Sequence, residues 1–248
     1  MGAVHFSIDP VLAARLASWL DLEVFIETGT FQGDSVAAVR RCFRELHSCE
    51  LSPQLHAAAT RRFSHDPAVR CHLGSSPDRL RTLAADLAGR PVMYWLDAHW
   101  CAADHTAGHG PQCPLLEELE AIDPLHPESV VWIDDARYFT APPPAPLEAK
   151  GWPTFQQVLD RLRSLSSDHQ LVIADDTLLF HPARIAADVA GHLHTHGADW
   201  LAIAHAARLT DELRAALEQA RRDCEQLRGQ PGRHACQQPR RRSLLTKW

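Results

Sequence analysis

The sequence predicts an α/β fold: a doubly wound sheet, mostly parallel, that ends in an antiparallel hairpin and is followed by a C-terminal helical extension. Three observations predict it. Short, near-continuous apolar runs at 24–27, 47–51, 69–73, 92–97, 130–134, 171–174 and 177–180 read as buried strands. Helix-patterned segments at 34–46, 53–63, 76–87, 114–122 and 153–165 alternate with the first six runs, which implies right-handed crossovers and strands in parallel. Only Asp175 and Asp176 separate the last two runs, too few residues for a parallel crossover, so these two runs pair as a hairpin.

The elements follow in order. A first helix over 8–20 opens at Asp9-Pro10, and Ser52-Pro53 and Ser76-Pro77 open the third and fourth helices with a capping residue and a proline where the missing N–H does no harm. Four prolines in 141–146 make a stiff loop after the fifth strand. Past Pro182 the pattern changes. Residues 183–197 look helical and carry His192, His194 and His196, while 199–228 form a long amphipathic stretch with Leu209, Leu213, Leu217 and Leu227. Such a helix packs on the body of the protein or on a second chain, which leaves homo-oligomerisation open; its heptads are too few for a coiled coil. From 230 onward Gly, Pro, Gln and Arg dominate, and disorder is expected. The expected organisation is therefore a main domain over 1–182, a helical extension over 183–229 and a basic tail over 230–248.

Composition narrows the function. With 248 residues, 45% hydrophobic and 23% charged, the chain is globular and long enough for one sizeable core. No stretch approaches the roughly 20 apolar residues of a membrane span. The first ten residues lack a basic segment followed by an apolar one, so no signal peptide is expected. Seven scattered cysteines read as reduced thiols, and the expected location is cytoplasmic. Arg233, Arg240, Arg241, Arg242 and Lys247 give the tail five positive charges and no acid, so the rest of the chain carries −11 against a net −6. An acidic body does not favour a phosphate backbone, and nucleic acid is excluded as the main partner.

In an open parallel sheet the ligand lies beyond the carboxyl ends of the strands, where their order reverses. The residues following each strand are therefore the informative ones. The first strand leads into Glu27-Thr28-Gly29-Thr30-Phe31-Gln32-Gly33-Asp34-Ser35, a turn whose two glycines permit sharp bending and close approach of a ligand before a helix N-terminus. This spacing matches neither the dinucleotide nor the triphosphate fingerprint, which disfavours a nicotinamide dehydrogenase. Glu50, about 20 residues on at the tip of the second strand, suits a grip on ribose hydroxyls. Gly74, Ser75 and Ser76 after the third strand are small enough to line an adenine pocket. The fourth strand ends in Leu96-Asp97-Ala98-His99-Trp100 and the fifth in Ile133-Asp134-Asp135-Ala136-Arg137. Three crowded carboxylates, Asp97, Asp134 and Asp135, repel one another; a hard divalent cation, Mg²⁺, would relieve that, and the alternative is that these acids cap helices or pair with Arg137. Cys101, His105, His109 and Cys113 recur every four residues in a Gly- and Pro-rich loop and have the chemistry for tetrahedral Zn²⁺; a substrate lid, or no role, are the other readings.

Taken together, Glu27-Thr28-Gly29-Thr30 with Gly33-Asp34-Ser35, then Glu50, Gly74-Ser75-Ser76, Trp95-Leu96-Asp97-Ala98-His99-Trp100, Cys113-Pro114-Leu115-Leu116-Glu117-Glu118-Leu119 and Ile133-Asp134-Asp135-Ala136-Arg137 resemble S-adenosylmethionine-dependent methyltransferases of class I, with their Rossmann-like fold. Within that fold the chain is similar to bacterial metal-dependent sugar O-methyltransferases of the macrocin type. The resemblance covers roughly residues 20–182. It implies that Glu27, Gly29 and Gly33 border the methionine part of S-adenosyl-L-methionine, with Thr28 and Thr30 in contact. It further implies that Glu50 holds the ribose, that Ser75 and Ser76 lie near the adenine, that Asp97 borders the cofactor, and that Asp97, Asp134 and Asp135 bind the metal. Some relatives place a lysine base shortly after the first metal aspartate, whereas His99 stands here; His99 is the expected general base or a partner of the metal acids. The implied reaction is methylation of a hydroxyl on a sugar or other polyhydroxylated small molecule. A catechol-like acceptor, and an inert Rossmann-like module that recruits a partner through its C-terminal helix, are the rivals.

Overall fold

The computed structural model describes residues 8–99 and 112–228. Seven strands form one sheet in the order β3-β2-β1-β4-β5-β7-β6. In chain order these are β1 (Val24–Thr28), β2 (Glu45–Glu50), β3 (Val69–Leu73), β4 (Val92–Leu96), β5 (Val130–Ile133), β6 (His169–Ala174) and β7 (Thr177–Pro182). The helices are α1 (Pro10–Leu20), α2 (Asp34–Val39), α3 (Pro53–Arg62), α4 (Ser76–Asp86), α5 (Leu115–Ala121), α6 (Arg137–Thr140), α7 (Phe155–Leu165), α8 (Ala186–His196) and α9 (Trp200–Arg228). Strands β1 to β5 run parallel and β7 runs antiparallel to both β5 and β6. Ala174 pairs with Thr177 across the two-residue Asp175-Asp176 turn, as the spacing predicts.

The central strands β1, β4 and β5 are buried along their whole length, which explains their unbroken apolar character. One face of the sheet packs Ile26, Leu96 and Val131 against Leu80 of α4, Leu119 of α5 and Leu162 of α7. The other packs Phe25, Met93 and Trp132 against Leu16 of α1, Val36 of α2 and Val189 of α8. Caps are local: Asp9 accepts from the Val11 amide, Ser52 from that of Leu55, and Thr154 with Gln157 forms a reciprocal capping box.

Three boundaries differ from the sequence reading. The helix expected over 34–46 stops at Val39, because the chain turns with a Cys42 amide to Val39 carbonyl bond and Glu45 already belongs to β2. Phe43 and Leu46 continue the apolar spacing of Val36 and Val39, but they reach the same core from a turn and a strand. The short helix α6, with no element expected there, follows β5. Finally, α8 belongs to the body rather than to a separate extension: Ile185 and Val189 are in the core, and the compact unit runs to Ala198. The second unit begins at Asp199; its α9 keeps Leu209, Leu213 and Leu217 exposed and carries Arg208–Glu212 and Glu218–Arg222 pairs one turn apart. No helix among the described residues is long and apolar enough to cross a membrane. The expected tail, 230–248, lies outside the described residues.

Candidate functional site

The site is built at the carboxyl ends of β1, β2, β4 and β5, where the strand order reverses between β1 and β4. After β1 the chain turns on Gly29 and Gly33, whose φ angles of +81° and +79° lie in the left-handed region. Both positions need glycine for a second reason. A Cβ at 29 would stand 2.3 Å from the Asp97 carbonyl oxygen, and one at 33 would stand 2.8 Å from the Phe63 ring. The sharp turn is as predicted; the atoms closest to its glycines belong to the protein itself.

Side chains then tie this turn to β2. The Ser48 hydroxyl donates to Glu27 Oε2 and lies 2.6 Å from Thr30 Oγ1. Burial pushes the Glu27 carboxyl up to about 8, so it is neutral at pH 7. Glu50 spans the turn: its Oε2 accepts from the Phe31 amide at 3.0 Å and its Oε1 from the Ser52 amide at 2.7 Å. Each oxygen accepts one bond there and retains a lone pair for a further donor. Thr28 Oγ1 accepts from the Asp97 amide at 3.2 Å, joining the ends of β1 and β4.

Ser75 stands at the N-cap position of α4 without a side-chain capping bond, and Ser76, the first helical residue, is buried beside it. Ser76 and Thr28 both hydrogen-bond to Glu118 of α5, a carboxyl that burial pushes up to about 7. Its Oε1 is buried without a hydrogen-bond partner among the described residues. No role was expected of Glu118. The signal was present, because its spacing with Leu115, Leu119 and Ile122 puts an acid on the apolar face of α5.

Asp97, Asp134 and Asp135 do come together, with Asp134 fixed by its amide to the Leu96 carbonyl at 3.1 Å. What separates the carboxylates is protein. His99 Nε2 stands 3.0 Å from Asp97 Oδ1 and 2.7 Å from Asp135 Oδ2. The Arg137 guanidinium lies 2.5 Å from Asp135 Oδ1 and also pairs with Asp176. Asp134 Oδ1 accepts from the Asp135 amide at 2.7 Å. Among the described residues no three His, Cys, Asp or Glu side chains are arranged to hold a metal ion. A Mg²⁺ ion on Asp97, Asp134 and Asp135 therefore does not fit this arrangement; the His99 ring and the Arg137 guanidinium of the same chain stand among the carboxylates where the cation was expected.

Protonation follows from this geometry. Burial opposes charge on His99, but the carboxylates of Asp135 and Asp97 outweigh it and raise its pKa well above 6.5. A pKa held up in this way makes His99 a poorer proton acceptor than the sequence suggested. Burial, with the charges of Asp97 and Asp135, pushes Asp134 up to about 8. Asp135 moves the other way despite its burial, held down by His99 and Arg137. Aromatic side chains flank the cluster: the Trp152 ring centre is 5.2 Å from that of His99 and 5.1 Å from that of Tyr138, and the Arg137 guanidinium lies over Tyr138 at 4.2 Å.

Of the Cys/His quartet, Cys101, His105 and His109 lie outside the described residues. Cys113 is buried in the apolar core, and burial pushes its thiol up to about 12, which disfavours the thiolate that zinc requires.

No protein-family model matches the sequence, and no curated protein matches it. Solved structures do. A Staphylococcus aureus protein assigned as a caffeoyl-CoA O-methyltransferase superposes with a TM-score of 0.51 at 14% identity, covering 71% of this chain and 85% of its own. A Streptococcus mutans protein assigned as a methyltransferase and solved in complex with SAH superposes with a TM-score of 0.50 at 10% identity, covering 71% of this chain and 98% of its own. With the strand order and the antiparallel β7, these superpositions show that the chain has the Rossmann-like fold of class I S-adenosylmethionine-dependent methyltransferases.

Proposed function

We propose that the protein is an S-adenosylmethionine-dependent O-methyltransferase acting on a hydroxyl of a sugar or polyhydroxylated small molecule. One observation carries the reading: Glu50, at the tip of β2, is locked across the glycine turn with one acceptor site left on each oxygen, a pair of acceptors for the two hydroxyls of a ribose diol. Glu27, Thr28, Gly29, Thr30 and Gly33 then face the methionine end, and Ser75 and Ser76 the adenine. The donor supplies the methyl group: an acceptor oxygen–carbon bond forms as the carbon–sulfur bond breaks, and S-adenosylhomocysteine leaves.

The chain's own residues do the rest. Asp97 and Asp135, fixed by His99, accept hydrogen bonds from acceptor hydroxyls and orient one of them. Asp134 takes the proton of that hydroxyl, since its pKa near 8 suits a base working close to neutral pH. Nothing in this sequence of events passes through a metal. A catechol-like acceptor is the second reading, favoured by the half-buried Tyr138 ring beside His99. The test is release of S-adenosylhomocysteine against a panel of sugars and phenols, alongside calorimetric titration with the donor. Binding without release on any acceptor would leave the inert module; absence of donor binding would end the proposal.

A further inference from the structure

We infer that Asp176, in the turn between β6 and β7, is a positioning residue that clamps the segment after β5 and holds Asp135 against His99. Its main-chain carbonyl accepts from the Ala136 amide at 2.7 Å, and its Oδ1 accepts from the Arg137 amide at 2.9 Å. Its Oδ2 pairs with the Arg137 guanidinium, which also reaches Asp135 Oδ1 at 2.5 Å. Asp135 then stands 2.7 Å from His99. One side chain of the hairpin turn thus begins a chain of contacts that runs through Arg137, Asp135 and His99 to Asp97.

The clamp has something to hold. Asp135 has a φ of +58°, a left-handed conformation that residues with side chains seldom adopt and keep only where the surroundings impose it. Both amides that follow it are bonded to Asp176. The Asp176 side chain is only 14% exposed, while the Arg137 side chain that it holds is 45% exposed. Only two residues join β6 and β7, and Thr177 Oγ1 donates to the Ala174 carbonyl at 2.7 Å, which makes the turn a rigid anchor.

This inference rests on the proposed reading of the cleft, and its test separates the two. Amide hydrogen exchange and steady-state kinetics are measured for Asp176→Ala, Asp176→Asn and a control, Glu128→Gln, which removes an exposed ion pair with Arg184 elsewhere. In Asp176→Ala the Arg137 amide is expected to exchange about tenfold faster with Met93 and Tyr94 of β4 unchanged, and kcat to fall about tenfold or more at a constant donor KM. Asp176→Asn, which retains an acceptor for the Arg137 amide, should restore that protection and part of kcat, while Glu128→Gln should change neither. Unchanged exchange at Arg137, or unchanged kcat despite faster exchange, overturns the inference. A wild type that methylates nothing overturns the proposed function instead, and the exchange result still decides whether Asp176 holds the turn.

Discussion

Ser48 donates a 2.5 Å hydrogen bond to Glu27, joining the second strand to the acid that opens the glycine turn. The bond lies in a buried setting where Glu27 is neutral at pH 7, with its carboxyl pushed up to about 8. The folded pKa stands above the ordinary 4.5, so the protonated acid favours the folded state. That contribution is complete below about pH 4.5 and is lost as pH rises through about 8.

Urea unfolding between pH 5 and 8 is expected to show this loss, and Glu27→Gln, which keeps a neutral polar group, should flatten the decline by a few kcal/mol at most, on the order set by about 1.4 kcal/mol per pKa unit. Identical pH slopes in the two proteins would contradict the assignment.

Glu50→Gln should weaken donor binding about tenfold or more, because the carboxylate is replaced by a group with one acceptor oxygen and charged hydrogen bonds are worth roughly 1.5–3 kcal/mol. Calorimetric titration reads this directly, and an unchanged affinity would remove Glu50 from the ribose site.

For Asp134 the prediction concerns rate. Its pKa near 8 means that the proton-accepting carboxylate accumulates as pH rises through that value, so kcat should climb between pH 7 and 9. Asp134→Asn should reduce kcat about a hundredfold or more and leave donor affinity intact. His99→Asn should slow the reaction by loosening Asp97 and Asp135 yet keep the same pH rise. If the rise vanished with His99 and survived the loss of Asp134, the roles would be reversed.

Chelator treatment offers an independent check. With His99 and Arg137 supplying positive charge among the carboxylates, EDTA is expected to leave donor binding and turnover unchanged, and Mg²⁺ should give no heat on titration. Loss of activity in EDTA with recovery in Mg²⁺ would overturn this arrangement.

Much of this was legible in the sequence, for physical reasons that also mark where legibility ends. Strands β1, β4 and β5 are buried from end to end, so their apolar runs are unbroken, and the Asp175-Asp176 spacing admits only a hairpin. Phe43 misled the helix boundary because a residue in a turn fills the same core as α2. At the site, the local sequence reveals acids at two strand tips but not the charges that come to meet them. The pairing of Asp135 with His99 depends on the register of β4 against β5, and that of Arg137 with Asp176, from a turn some forty residues later, on the register of β5 against β7. Glu118 was readable from its place on the apolar face of α5, whereas its bonds to Thr28 and Ser76 join three separate elements.

Truncation after Ala198 should leave the body folded with a thermal midpoint within a few degrees of the full chain, because the compact unit ends there and the leucines of α9 stay exposed. A large drop on calorimetry would show that α9 contributes to the stability of the body.

The contact of Gly29 with the Asp97 carbonyl has a consequence for how such a protein can change. A single added methyl at 29 would collide with that oxygen, so the glycine loop after β1 and the strand end bearing Asp97 form one mechanical part. Neither can drift in evolution, or be re-engineered for a new acceptor, without displacing the other. Variation in acceptor preference is thereby steered away from this joint toward the surrounding loops.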